Sequence, residues 1–305
     1  MLDNYKFSTM ASCWRIDGII LIFILSLGLW SCEDVIQVEL EDGGEALVVD
    51  AWLNTLEVDQ EILLSAAQTY FDGSAPQGIV SAEVLLRRND GAIFTFLHDE
   101  GGKYIWPYAS GGLGEVGDSF QLEINYDGQS FQGQSELRRV PQIDSIGIEF
   151  REDELFFDDG LYAQFFARDF IGGGDTYWIR TYKNGDFLSK TQSINLAFDA
   201  GFDAGTGVDG LIFIPPIREL INELDEDLLQ VPYEVGDEIR VEIHSISNEA
   251  FDFMEIARDQ INNGDNGIFS IPLANTRTNI SSTGGLPVLG FFNMAAVSTR
   301  TRIVE

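Results

Sequence analysis

Between residues 45 and 137 short runs alternate apolar with polar residues, and that two-residue period restricts the fold more than any other feature of the chain. The runs are "ALVVDAWLN" (46–54), "EILLSA" (61–66), "SAEVLLRR" (81–88), "AIFTFL" (92–97), "SFQLEINYDG" (119–128) and "SFQGQSEL" (130–137). Successive side chains of an extended chain point to opposite faces, so each run has one apolar and one polar side. Such strands bury their apolar sides only by pairing into layered sheets. Asp-Gly in "NDGA" and "YDGQ" tolerates the positive φ of tight hairpin turns. This spacing predicts a mainly β protein that begins, over residues 45–140, as an immunoglobulin-like β-sandwich.

The composition changes after Pro141, and residues 141–305 are expected to form a second β-rich domain with two helices. "YAQFFARDF" (162–170), "TYWIRTYKNG" (176–185) and "EIRVEIHSIS" (238–247) read as strands, the middle one ending in an Asn-Gly turn. Ile217, Leu220, Ile221, Leu224 and Leu228 recur at helical spacing, which predicts a helix over 217–230. Ser247 is placed to cap a second helix, with Ala250, Phe253, Met254, Ala257 and Ile261 on one face and Asn262, Asn263 and Gly264 as the stop. Both stripes read as core contacts.

Ahead of the first strand lies an apolar run, Ile19 to Trp30, that stops at Cys32 and turns acidic. As a helix it would be only about 18 Å long, too short for a bilayer core. Its length suits the apolar part of a secretory signal, with Lys6 and Arg15 as the basic residues before it. Met10 offers an alternative start that gives a more ordinary signal. Leu29, Trp30, Ser31 and Cys32 resemble a bacterial lipobox. That resemblance implies removal of residues 1–31, lipid on the Cys32 sulfur and a tether over 32–44. The other reading is an ordinary signal with an incidental cysteine. The only other cysteine, Cys13, lies in the segment to be removed, so Cys32 has no disulfide partner.

The chain has 50 acidic and 18 basic residues, a net charge of −32. Phosphate binding requires clustered Lys and Arg, so nucleic acid is excluded as a natural partner, and anionic headgroups would not hold the protein by charge. Acidity of this size keeps a crowded exported protein soluble. Glu33 and Asp34, directly after the cysteine, resemble the signal that sends Bacteroidota lipoproteins to the outer face of the outer membrane.

Catalytic signals are weak. His98 and His244 are the two imidazoles, without a nucleophile elbow, paired-histidine zinc spacing or phosphate loop beside them. His244 alternates with Glu242 and Arg240, which reads as a solvated strand face. Acid pairs such as Asp158 and Asp159 are expected by chance in so acidic a chain. The chain is therefore expected to bind rather than catalyse, and to need no cofactor. Tyr104, Trp106 and Tyr108 alternate in "KYIWPY"; on an edge strand broken by Pro107 they would form a binding platform for sugar rings or a partner, and buried they would be sandwich core. Asp199, Asp203 and Asp209 in "FDAGFDAGTGVDG" offer oxygen ligands of the kind calcium takes, although the spacing matches no EF-hand, and a plain acidic loop is the competing reading.

The order of "CEDVIQVEL", "ALVVDAWL", "GGKYIW", "TYWIRTYKNG", "VGDEIRVEIHSIS" and "PLANTRTNISSTGGLPVLGFFNMAAVS" is similar to a Bacteroidota lipoprotein family, domain of unknown function 4249. The most telling part is the end, where Asn279 and Ile280 lead through Gly284 and Gly285 to Leu289, Gly290, Phe291 and Phe292. The resemblance implies a lipid-anchored, surface-facing protein of the outer membrane that serves a TonB-dependent receptor as an accessory; a non-catalytic binding role, with a glycan or peptide as ligand, is the expectation from the residues themselves. The alternative is a free-standing glycan-binding or adhesive module. No residue role follows from the family.

Overall fold

The computed structural model describes residues 45–68, 74–152, 158–205, 207–262 and 276–305. Cys32, Glu33 and Asp34, and the expected helix stop at Asn263 and Gly264, lie outside them. In chain order the elements are β1 (Leu47–Asn54), β2 (Gln60–Ala66), β3 (Glu83–Arg88), β4 (Ile93–His98), β5 (Lys103–Trp106), β6 (Ser119–Tyr126), β7 (Gln129–Glu136), β8 (Ile143–Arg151), β9 (Gly160–Ala167) and β10 (Thr176–Lys183). Then come β11 (Asp186–Phe187), β12 (Asn195–Phe198), helix α1 (Pro215–Glu219), β13 (Glu238–Ile246), helix α2 (Asn248–Asn262), β14 (Ile280–Ser282), β15 (Val288–Ala295) and β16 (Val297–Ile303). The chain is mainly β, as the alternation predicts.

The first seven strands form one nine-stranded sheet together with β14 and β15, in the order β14-β7-β6-β3-β4-β5-β2-β1-β15. All pairings are antiparallel except that of β1 with β15. The turn between β6 and β7 has Asp127 at φ 49° and Gly128 at φ 70°, the backbone that the Asp-Gly pair was expected to adopt. The sheet curls until β15, at one end, lies beside β7 near the other, where the Met294 amide donates to Ser135 Oγ at 2.8 Å. Its layers then face each other across one core, as in a sandwich. Val49 and Leu53 from β1, Leu64 from β2, Leu86 from β3, Leu122 from β6, Phe131 from β7 and Phe292 from β15 are all buried there. Each such side chain contributes roughly 1.5–3 kcal/mol by leaving water.

Pro141 marks a change of sheet, although β14 and β15 return to the first one. The second sheet runs β11-β10-β13-β16, with β12 also on β10, and the β8–β9 ribbon covers one of its faces. Ile146, Phe165, Tyr177, Phe213, Ile239 and Val241 fill the space between them. Asn184 (φ 53°) and Gly185 (φ 91°) make the expected turn after β10.

Two helical expectations are corrected. The predicted helix over 217–230 shrinks to the five residues of α1. Ile217, Ile221 and Leu224 are buried as the stripe required, but Leu228 is exposed with φ 63°. Side chains compete with the helix here: Asn222 exchanges hydrogen bonds with the Ala163 backbone, and Asp225 Oδ1 accepts from the amides of Asp227 and Leu229. Helix α2 begins as expected, with Ser247 Oγ accepting from the Ala250 amide at 3.0 Å. Its buried residues are Ala250, Phe251 and Met254, while Ile261 is exposed. That face meets Trp52, Trp178, Leu196 and Phe291 in a third apolar cluster.

The face of β13 read as solvated is buried instead. Glu242 is 1% exposed and His244 3%. Alternation reveals which residues share a face but not what covers it, and here Trp178 stands 6.0 Å from the His244 ring while Arg240 closes over Tyr182 beside Glu242.

Candidate functional site

The aromatic row does not form a platform. Strand β5 is interior, paired with β2 on one side and β4 on the other, so the expected edge is absent. Tyr104 is 1% exposed; its hydroxyl donates to Ile79 O and accepts from the Ala82 amide. Trp106 is half-buried against the core, edge-on to Phe94 at 5.3 Å, and its Nε1 donates to Gly111 O. Tyr108 has left the strand for a short 3-10 turn. The hollow beside Trp106 and Tyr108 holds only about 30 Å³, far below the roughly 300 Å³ at which ordinary ligand sites begin. Phe291 and Phe292 in the closing "GGLPVLGFF" are buried as well.

The acidic loops come together differently from the sequence pattern. Asp199 and Asp209 converge with Asp169, their carboxylate oxygens lying within 4.8 Å of one another, and Asp203 is not in the group. Asp203 instead adds its charge to the surroundings of Glu255 on α2. Each of the three carboxylates accepts from the opposite loop or its own strand end. Asp199 Oδ1 takes the amides of Gly174 and Asp175, Asp209 that of Gly172, and Asp169 takes the Tyr177 hydroxyl at 2.6 Å and the Gly210 amide. Burial pushes Asp169 above the usual carboxylate range, against the pull of those donors. Arg139 spans Asp175 and the carbonyls of Ile171 and Gly172 nearby. The same carboxylates tie loop 168–175 to loop 199–212, and their remaining lone pairs are oxygen donors of the kind calcium takes.

A groove of about 750 Å³ lies elsewhere, on the outer face of β3, β6 and β7, and sequence reasoning did not single it out. Its floor is a ladder of polar side chains set by register: Arg87 opposite Gln121, Gln121 opposite Gln134, and Gln132 opposite Ser281. Gln121 Nε2 donates to Gln132 Oε1 at 3.2 Å, and Arg87 Nε to Glu123 at 3.1 Å. Arg138, Ser247 and Glu249 form a wall where β7 ends and α2 begins. Phe120 lies below, 2% exposed. The sequence did hold a signal: in "SFQLEINY" and "QSFQGQSE" the non-core positions are amides and hydroxyls with the carboxylates of Glu123 and Glu136 among them, an outer face suited to hydrogen bonding.

A family model described as domain of unknown function (DUF4249) matches residues 33–301. No curated protein matches the chain.

Proposed function

The chain belongs to the DUF4249 family, and on that premise we propose that it is a lipoprotein of the outer membrane, facing the cell surface, that acts by binding as an accessory of a TonB-dependent receptor. The groove over β3, β6 and β7 is the observation that carries the binding role: it is roomy, lined by hydrogen-bonding side chains, and set on the rigid face of a sheet. The lipobox-like end of the apolar run supports the anchor, and the Glu33-Asp34 pair supports display at the surface. Among the described residues no helix is long and apolar enough to cross a membrane. With net charge −32 the body of the protein is repelled by anionic headgroups, which leaves lipid on Cys32 to hold it in place.

Affinity isolation of the tagged, membrane-anchored protein tests the partnership. A TonB-dependent receptor is expected to co-purify in near-stoichiometric amount. Recovery of the protein without any outer-membrane receptor would leave a free-standing surface binder in its place.

A further inference from the structure

We propose that the groove over β3, β6 and β7 is a binding site for a hydroxyl-bearing oligosaccharide a few rings long, held by side-chain hydrogen bonds rather than by stacking. The proposal rests on the reading of this chain as a binding protein and names the ligand class of its groove.

The ligand class follows from what the groove leaves unpaired. Arg87 uses Nε on Glu123 and keeps its two terminal nitrogens open, and Arg138 gives one terminal nitrogen to Asn248. Gln132 accepts from Gln121, which leaves one side's amide nitrogen and the other's amide oxygen available. The side chains of Gln134 and Glu136 have no protein partner among the described residues. Donors and acceptors therefore alternate over one surface. A hydroxyl is both donor and acceptor, so a chain of hydroxyls can satisfy such a surface, whereas an apolar ligand would strand every one of these groups.

Two competing ligands fit less well. A peptide bound as an added strand needs an open sheet edge, but β3 is paired with β4, and the outer edge of β7 meets β14 over Phe131–Gly133 with Asn279 and Met294 bonded to Gln134 and Ser135 beyond it. An anion such as phosphate would meet the arginines but also the carboxylates of Glu136 and Glu249, which line the same space. With Phe120 beneath the floor, no ring among the lining residues is offered for stacking. The volume of about 750 Å³ sits within the roughly 300–1,000 Å³ of ordinary ligand sites and accommodates a short oligosaccharide rather than one sugar.

The test uses the whole exported protein with a panel of defined hexasaccharides, covering glucose, mannose, xylose and galacturonate polymers, and a set of acidic heptapeptides as the rival class. Binding is measured by titration calorimetry and by saturation-transfer NMR. At least one hexasaccharide should bind the wild type, and Gln132→Ala with Gln134→Ala should weaken it by about tenfold or more. Gln134→Ala alone, which breaks no hydrogen bond within the protein, should weaken it severalfold while the fold stays intact. Failure of every hexasaccharide to bind, undiminished binding in the variants, or displacement of the sugar by the peptides would each overturn the proposal. Receptor co-purification is scored separately on the same variants. It should persist, so loss of the sugar site and loss of the receptor partnership are distinguishable.

Discussion

Asn279 holds the backbone of Phe292 by both ends of its amide: Oδ1 accepts the Phe292 N–H at 3.0 Å, and Nδ2 donates to the Phe292 carbonyl at 2.7 Å. The same Nδ2 reaches Gln134 O on β7 at 3.2 Å. One side chain thus does the work of a missing strand pair where the nine-stranded sheet curls back on itself.

Replacing Asn279 by Leu keeps the volume and removes these bonds, leaving a backbone amide and carbonyl without partners. Stability should fall by about 2–4 kcal/mol. Asn279→Asp should be informative about geometry, because the carboxylate can still accept from Phe292 N–H but then faces two carbonyl oxygens. Its pKa should be raised, and the variant should regain stability as the pH falls and the acid becomes a donor. Urea denaturation at pH 7 and pH 5 measures both; a wild-type midpoint for the Leu variant would remove Asn279 from the closure.

Gly290 is the second fixed point of the closure. It lies on β15 opposite Val49 at φ 89°, and a Cβ there would stand 2.0 Å from the Val49 carbonyl oxygen. Backbone cannot yield as a side-chain tip can, so Gly290→Ala should cost at least about 3 kcal/mol or prevent folding. Soluble yield and circular dichroism suffice to check this. A variant as stable as the wild type would mean that β1 and β15 do not approach so closely.

How far the sequence could be read depends on the distance between partners. The strands, the Asp127-Gly128 and Asn184-Gly185 turns and the Ser247 cap are local, and each is visible in a handful of residues. The return of β14 and β15 to the first sheet is not, because Asn279 meets Gln134, and Met294 meets Ser135, only once the whole second part of the chain has been laid down. The same reason hid Asp169 from the Asp199 and Asp209 pattern, and hid the roof over Glu242 and His244. The lost helix after Glu219 is a different failure. Leu224 and Leu228 kept helical spacing, but Asn222 and Asp225 carried local hydrogen bonds that the apolar pattern does not count. The groove was half legible: alternation exposed its polar face, and register alone brought Arg87, Gln121 and Gln134 into one row.

Trp106→Ala tests whether any part of the aromatic row is free for a ligand. The ring packs on Phe94 and its Nε1 bonds Gly111 O, so its removal should lower stability by roughly 2–4 kcal/mol. Trp106→Phe, which keeps most of the ring, should lose about 1 kcal/mol. Thermal melting reads both directly. An unchanged melting temperature for the Ala variant would restore Trp106 as an exposed anchor.

The anchor is tested at Cys32. Cys32→Ser should release the protein from lipid vesicles and from membranes stripped of the receptor, since the acidic body is repelled by anionic headgroups, and the wild type alone should take up radioactive palmitate. Replacing Glu33 and Asp34 by Ala should protect the protein from protease added to intact cells. Absence of label on the wild type would end the lipoprotein reading, and full protection of the wild type would place the protein inside the envelope.

The buried pair on β13 gives a pH dependence with a definite sign. His244 Nε2 lies 2.9 Å from Glu242 Oε2, and Arg240 donates to Glu242 Oε1 at 2.6 Å. Burial lowers the proton affinity of His244 more than the neighbouring carboxylate raises it, with Arg180 on β10 adding to the lowering. Glu242 loses solvation by the same burial, yet His244, Arg240 and Arg180 together hold its carboxyl below the usual range. Both groups are thus harder to protonate in the fold than in the unfolded chain. As the pH falls, the unfolded state binds the extra protons and stability declines. For His244 the decline starts as the pH drops through about 6.5, the ordinary value, at up to roughly 1.4 kcal/mol per pH unit; for Glu242 it starts near 4.5 and runs downward. His244→Gln can still donate to Glu242 but does not titrate, so it should flatten the loss of stability between pH 7 and pH 5 relative to the wild type. Asp50, Asp169 and Glu255, whose pKa values are raised, are common to both proteins and cancel in the comparison. Urea unfolding of the two proteins across that range decides it: parallel curves would mean that His244 gains its proton in the fold as easily as in the open chain.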